Sequence, residues 1–177
     1  MAKIVMRGNF SSKGIQDIIN QLERYKTDLR QKAELLCRRL AETGQTVALQ
    51  GINDSPLGKT ITLRIEMSPR PDGCKAILVA AGQTKSNDHG AINTLLLVEF
   101  GAGIRLNPNE NPKAGEFGMG VGTYPGQIHA FDQNGWYYWG EDEKWHHTYG
   151  TKATMPMYNA SVAIRTQVAA VVKEVFQ

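Results

Sequence analysis

Residues 12–44 read SKGIQDIINQLERYKTDLRQKAELLCRRLAETG and carry one long apolar stripe. The stripe advances in steps of three or four residues, which is the repeat of one face of an α-helix. Ser11 and Ser12 are suited to cap the N-terminus of this helix. Gly44 is suited to end it, unless the helix continues to Leu49. The members of the stripe are Ile15, Ile18, Leu22, Tyr25, Leu29, Ala33, Leu36 and Leu40.

The predicted helix is long for the chain that contains it. The 177 residues fit one domain, residues 1–177, and a helix over residues 12–44 is about 50 Å long. A helix of that length either overhangs a sheet or packs against a neighbouring subunit. We therefore expect Leu22, Tyr25 and Leu29 to form a subunit or partner interface.

Two β-hairpins are predicted downstream. Lys59 to Met67 alternates between apolar and polar residues, and a turn at 68–73 leads into a second strand, so residues 59–81 form a hairpin. The aromatic residues of 136–149 flank an acidic turn and form a second hairpin. Trp136 and Trp145 are predicted to pair across its two strands.

Helices and a loop complete the predicted fold. Residues 91–100 favour a short helix because their leucines are not β-branched, and Pro156 fits the first turn of a terminal helix. Ten of the 18 glycines lie between residues 101 and 150, so 101–135 is predicted as a long flexible loop. The class is α+β, with the N-terminal and C-terminal helices packed on one antiparallel sheet formed by residues 59–81 and the 136–149 hairpin.

No residue pattern predicts catalysis or a cofactor. Gly118-Met-Gly-Val-Gly122 lacks the strand, helix and Lys-Ser/Thr of a phosphate-binding loop. A metal-dependent enzyme remains open as a third hypothesis, because metal-ligating residue types cluster in one short segment. However, adjacent histidines on a strand point to opposite faces and cannot close one small site. The residues of this segment are Glu141, Asp142, Glu143, His146 and His147.

Composition restricts the environment of the protein. Two cysteines, neither in a CxxC motif, are typical of a reducing cytosol. The sequence contains no run of 18 apolar residues, so it predicts no membrane span.

The charge is distributed unevenly along the chain. Residues 1–44 hold 9 basic and 5 acidic residues, whereas residues 45–177 hold 11 basic and 12 acidic residues. This asymmetry favours a solvated helix face, with a basic face toward an anionic partner as the alternative.

Three sequence strings follow one another along the chain. They are Leu97-Val-Glu-Phe-Gly101; Gly135-Trp-Tyr-Tyr-Trp139 followed by Trp145-His-His-Thr-Tyr-Gly150; and Ala153-Thr-Met-Pro-Met-Tyr-Asn-Ala160 at the start of the last helix. In this order they resemble the small neck and tail-completion proteins of long-tailed double-stranded DNA phages. The resemblance covers residues 10–177. Ala102 stands where the family usually has threonine, and Thr154-Met-Pro replaces the commoner Arg-Pro or Gln-Pro.

The resemblance implies a structural virion component without enzymatic activity, assembled in the cytoplasm of the bacterial host and located at the head–tail junction. Its copies would form a homo-oligomeric ring around the DNA channel, in contact with head-closure or connector proteins and with tail-terminator or tail-tube proteins. A ring needs two different patches on each subunit. The long helix is one candidate patch. The aromatic hairpin, through Trp136, Tyr138, Trp145 and Tyr149, is the other.

The basic helix residues have two interpretations. In a ring, they would line the channel and pass DNA without sequence-specific contact. Alternatively, they form ion pairs such as Asp28–Lys32 and Glu34–Arg38 on a solvated face. A rival function, a stand-alone nucleic-acid-binding or toxin-like module, would use the same helix, although interleaved acidic residues weaken it. The candidate channel-facing residues are Arg24, Arg30, Lys32, Arg38 and Arg39.

Overall fold

The fold consists of two long helices and three small sheets. The computed structural model describes residue 6 and residues 8–87, 90–109, 111–120, 129, 131–140 and 142–177. The α+β prediction is confirmed. In chain order the elements are α1 (Ser12–Asn53), β1 (Ile61–Arg70), β2 (Gly73–Gly82), β3 (Thr84–Asn87), β4 (Gly90–Asn93), α2 (Thr94–Phe100), β5 (Trp136–Trp139), β6 (Trp145–Thr148) and α3 (Pro156–Phe176), with short 3₁₀ turns at Gly58–Thr60 and Ala114–Phe117.

Helix α1 is even longer than the sequence stripe predicts. The Ser11 hydroxyl accepts a hydrogen bond from the Gly14 amide at 3.1 Å, so the predicted N-cap is confirmed. Gly44 does not end the helix, which continues to Asn53 over 42 residues, or about 63 Å. Gly44 instead allows close packing, because a Cβ there would lie 2.6 Å from Cδ1 of Ile164 on α3.

Helix α3 runs antiparallel to the C-terminal half of α1. Pro156 lies against Gly51, Ile164 lies against Gly44, and Arg39 forms an ion pair with Glu174 at 2.8 Å. Strands β1 and β2 form the predicted hairpin, with Ile61 opposite Gly82 and Arg70 opposite Gly73. This sheet also packs on α1, which therefore has its C-terminal half covered by a helix and a sheet.

The sheets are separate in the described part of the chain. The strands pair as β1–β2, β3–β4 and β5–β6, so the single sheet expected from 59–81 and 136–149 is not formed. The second hairpin is attached differently. Ala102 and Thr151 exchange two backbone hydrogen bonds of 2.8 Å, and the indole of Trp136 lies over Gly103 and Gly150.

The short helix predicted within 91–100 is confirmed as α2, preceded by strand β4.

Glu99, at the end of α2, caps α3 from outside that helix. The N-cap residue of α3, Met155, has a left-handed backbone (φ 52°) and supplies no capping side chain. The Glu99 carboxylate accepts hydrogen bonds from the amides of Met157 (2.8 Å) and Tyr158 (2.9 Å). Its charge is favourable at the positive end of the helix dipole. The buried side chain of Asn111 donates to the same carboxylate at 3.2 Å.

The first part of segment 101–135 is built into the body, so the prediction of one long flexible loop is too broad. Asn107 is buried, and its amide donates to the carbonyls of Gly103 (3.0 Å) and Thr151 (2.8 Å). Its carbonyl accepts from the amide of Ala153 at 2.7 Å. Gly101 has φ +79°, and a Cβ there would lie 2.4 Å from the Asn107 side chain. Residues 110, 121–128 and 130 of that prediction lie outside the described residues.

Replacing Glu99 tests this internal cap. In Glu99→Ala the two α3 amides lose a buried acceptor, so we expect the free energy of unfolding to fall by about 2–4 kcal/mol. Glu99→Gln keeps one acceptor oxygen and is expected to lose less. Urea unfolding at fixed protein concentration, followed by far-UV circular dichroism, measures both.

Glu116→Ala is the matched control, because Glu116 is exposed and pairs only with nearby Lys113. A surface change of this kind is expected to cost at most about 0.5 kcal/mol. Equal losses in Glu99→Ala and Glu116→Ala would show that the Glu99 cap does not stabilise α3.

Candidate interaction surfaces

The N-terminal part of α1 extends beyond α3 and the β1–β2 sheet, and Gly8 and Asn9 lie against its first turns at Ile18 and Gly14. On one side, Glu174 of α3 reaches α1 at Arg39. On the other side, the turn between β1 and β2 reaches α1 at Arg30, whose guanidinium donates to the Pro71 carbonyl at 3.1 Å. Residues 12–29, called the helix arm below, extend past both contacts by about 27 Å.

The helix arm carries an uncovered apolar stripe. Its five large apolar residues are each 41–49% exposed. They lie on one face because they recur every three or four residues. The same stripe continues into Leu36 and Leu40, which are only partly exposed where the body covers α1. The five residues are Ile15, Ile19, Leu22, Tyr25 and Leu29.

Hairpin β5–β6 presents an aromatic face. Tyr137 lies opposite His147 and Trp139 lies opposite Trp145, so these four side chains share one side of the hairpin. The rings of Trp139 and Trp145 are 5.4 Å apart at 76°, an edge-to-face pair. Tyr137, Trp139 and Trp145 are each more than half exposed. Tyr137, Trp139, Trp145 and His147 are called the aromatic face below.

A cation–π contact extends the aromatic face along the chain. The Tyr149 ring lies 4.8 Å from the His147 ring. The Arg105 guanidinium lies 3.7 Å from the Tyr149 ring centroid, a distance at which a cation is attracted to the ring face. Arg105 also donates to the Gln133 carbonyl at 3.2 Å. These contacts hold the base of the hairpin against segment 101–109.

The structure places the predicted hairpin residues on different sides of the hairpin. Trp136 faces inward against Gly103 and Gly150 and does not pair with Trp145, so that prediction is wrong. Tyr138 lies on the other side of the hairpin, stacked on His146 at 5.4 Å. Trp145 and Tyr149 remain exposed, as expected of interface residues. Sequence reasoning missed Trp139, Tyr137, His147 and Arg105. The position of the turn at 140–144, which pairs Trp139 with Trp145, would have indicated the first three.

Most of the basic helix residues have partners within the chain. Both expected ion pairs are confirmed, Asp28–Lys32 at 3.1 Å and Glu34–Arg38 at 3.2 Å. Arg30 and Arg39 make the Pro71 and Glu174 contacts described above. Arg24 lines a shallow polar groove along the arm with Asp17 and Asn20.

The turn of the aromatic hairpin does not gather a metal-ligand set among the residues that the structure describes. Glu141 lies outside them. His146 bonds Asp142 at 2.7 Å, whereas His147 lies on the opposite side and bonds the Asn134 carbonyl at 2.8 Å. The predicted separation of the two histidines is therefore confirmed.

Comparison with protein-family models, curated proteins and solved structures finds no match to this chain. Within the described ranges, no helix combines the length and the apolar character needed to cross a bilayer. The functional interpretation therefore depends on the two surfaces themselves and on the sequence strings.

The contact between Asp142 and His146 predicts a measurable titration. The hydrogen bond from His146 lowers the pKa of Asp142 below its ordinary value. A carboxylate with a lowered pKa in the folded state contributes stability above its unfolded pKa, and loses it as the pH falls through the folded pKa. We expect the carboxyl carbon of Asp142, followed by NMR, to titrate below pH about 3.9.

The His146→Ala variant should move that midpoint upward toward the ordinary aspartate value. His147→Ala is the matched control, because His147 points away from Asp142, and it should leave the midpoint in place. An unchanged midpoint in His146→Ala would contradict the assigned cause.

Proposed function

We propose that this chain is a structural subunit of the head–tail junction of a long-tailed double-stranded DNA phage, where identical copies form a ring around the DNA channel. One observation carries the proposal: a single chain presents two unlike uncovered surfaces, the apolar helix arm and the aromatic face. A closed ring is built from heterologous contacts, in which one patch of each subunit binds a different patch of the next.

The motif strings support the family assignment because each has an identifiable part in this fold. In the first string, Val98 is buried and its carbonyl accepts from Thr154, and Glu99 caps α3. The third string supplies the α3 amides that Glu99 binds. The second string forms the hairpin that bears the aromatic face. The strings therefore describe one connected architecture.

The ring proposal gives each surface a partner. The arm of one subunit contacts the neighbouring subunit. The aromatic face contacts either that neighbour or the adjoining head-closure, connector, tail-terminator or tail-tube proteins. No catalytic step is assigned to the chain. The rival function, a stand-alone nucleic-acid-binding module, has less support because Lys32, Arg38 and Arg39 already neutralise acidic partners within the chain.

Polar substitutions on the arm test self-association. Leu22→Gln combined with Leu29→Gln keeps residues that favour helix and removes two exposed apolar side chains. We expect self-association to weaken at least about tenfold, because each leucine loses about 1 kcal/mol or more of burial. Sedimentation velocity and light scattering, with and without added DNA, measure the change.

Thr27→Gln is the matched control for this pair, because Thr27 lies on the side of α1 away from Leu22. Its assembly should equal that of the unmodified protein. If the unmodified protein remains a monomer of 19.6 kDa at every soluble concentration, or if only DNA-bound complexes form, the ring proposal is wrong and the nucleic-acid-binding alternative gains support.

Charge reversal tests the channel lining. Arg24, Lys32, Arg38 and Arg39 lie within an arc of about 120° whose centre is about 140° from Leu22, at about 100° per residue. If α1 uses its Leu22 side for assembly, these four residues therefore face another direction. We expect Arg24→Glu with Arg38→Glu to allow particle assembly but to change DNA retention or ejection, since a sparse basic lining contacts sliding DNA electrostatically.

Arg64→Glu provides the control, because Arg64 is an exposed basic residue of β1 that pairs with Glu66 at 2.8 Å, away from the helix. Particles carrying this change should retain DNA normally. If Arg24→Glu with Arg38→Glu also gives normal retention and ejection, these basic residues form only a solvated face.

A further inference from the structure

The two cysteines of the chain meet although they are far apart in sequence. Cys37 lies in the middle of α1, and Cys74 lies at the start of β2, next to the turn that touches Arg30. The Cys37 thiol donates to the Cys74 carbonyl at 3.2 Å. These are the only cysteines in the sequence.

The surroundings of this pair leave it reduced but accessible. Both cysteines are free and partly exposed, so a small oxidant reaches them. Burial and the neighbouring Cys74 thiol raise the pKa of Cys37. A raised pKa keeps Cys37 in its thiol form near neutral pH, which slows attack on an oxidant without preventing it.

We propose that Cys37 and Cys74 form an oxidative modification site, which closes to a disulfide between α1 and the β1–β2 sheet when the protein meets a small-molecule disulfide. The thiolate of one cysteine attacks a sulfur of the oxidant, forms a mixed disulfide and releases one thiolate. The second cysteine attacks the protein sulfur of that mixed disulfide and releases the other half of the oxidant. Two protein thiols are oxidised, and one oxidant disulfide is reduced to two thiols.

The Cys37 thiol already lies against the backbone of Cys74. A disulfide requires the sulfurs to approach to about 2.05 Å, and rotation about the Cα–Cβ bond of each cysteine changes the position of its sulfur. Cys74 is opposite Pro69, one pair away from the Arg70–Gly73 pair that flanks the turn of the β1–β2 hairpin. The covalent bond therefore joins the tip of this sheet to α1 close to the base of the helix arm.

The consequence is a covalent link between α1 and the β1–β2 sheet that depends on the redox environment. In a reducing cytosol the pair stays open. In an oxidising environment it closes, and the closed loop restricts the unfolded chain, which stabilises the folded state. This inference does not depend on ring assembly, since the two cysteines belong to one chain.

Oxidised glutathione added to the purified full-length protein tests the proposal. We expect both free thiols to disappear, the intact mass to fall by two hydrogens, and a non-reducing peptide map to link Cys37 with Cys74. The melting temperature is expected to rise by about 5–15 °C and to return after treatment with dithiothreitol. Because the bond is intramolecular, its rate of formation should not depend on protein concentration.

The variants Cys37→Ser and Cys74→Ser are the controls, each checked for folding by circular dichroism. Neither should show the reversible rise in melting temperature. The proposal is overturned if the oxidised protein carries only glutathione adducts or links between chains. It is also overturned if either serine variant shows the same thermal shift.

Discussion

The structure depends on the pairing of one buried carboxylate with the start of the last helix. Glu99 accepts from two α3 amides whose own N-cap residue supplies no acceptor. Without it, two buried donors would be left unpaired at the place where α2, segment 101–111 and α3 meet. Asn111 donates to the Glu99 carboxylate, and Asn107 accepts from the Ala153 amide just before α3. The same group of residues also positions the aromatic hairpin, because the Asn107 side chain donates a hydrogen bond to the Thr151 carbonyl just after β6.

The fold could be predicted from sequence wherever periodicity is local. The α1 stripe, the two hairpins and the Pro156 helix start all depend on neighbours within a few residues, and all are confirmed. The attachments between elements depend on contacts between distant residues. Gly44 looks like a helix stop in sequence, whereas here it admits Ile164 from a helix 120 positions later. Asn107 and Asn111 look like loop residues beside prolines, yet each is buried as a hydrogen-bonding partner.

The sequence locates the candidate surfaces but does not assign all of their residues. The α1 stripe identifies Leu22, Tyr25 and Leu29 directly, because their exposure follows from a helix that extends beyond its neighbours. The aromatic face required the strand register, and an error in the turn position changes every pair across a hairpin. For this reason the sequence predicts Trp136 at the surface, although Gly103 and Gly150 leave space for its indole inside. The link between Cys37 and Cys74 has no local signal at all.

Because α1 is packed near one end and uncovered at the other, a small tilt at the packed end becomes a larger displacement of the uncovered end. Ile15 lies about 43 Å from Gly44 along the axis of α1. A tilt of about 5° at the Gly44–Ile164 contact therefore displaces Ile15 by about 4 Å. Packing at the buried end sets the direction in which the arm points. Volume changes on α3, far from the exposed apolar residues of the arm, would thus alter the direction in which the arm points.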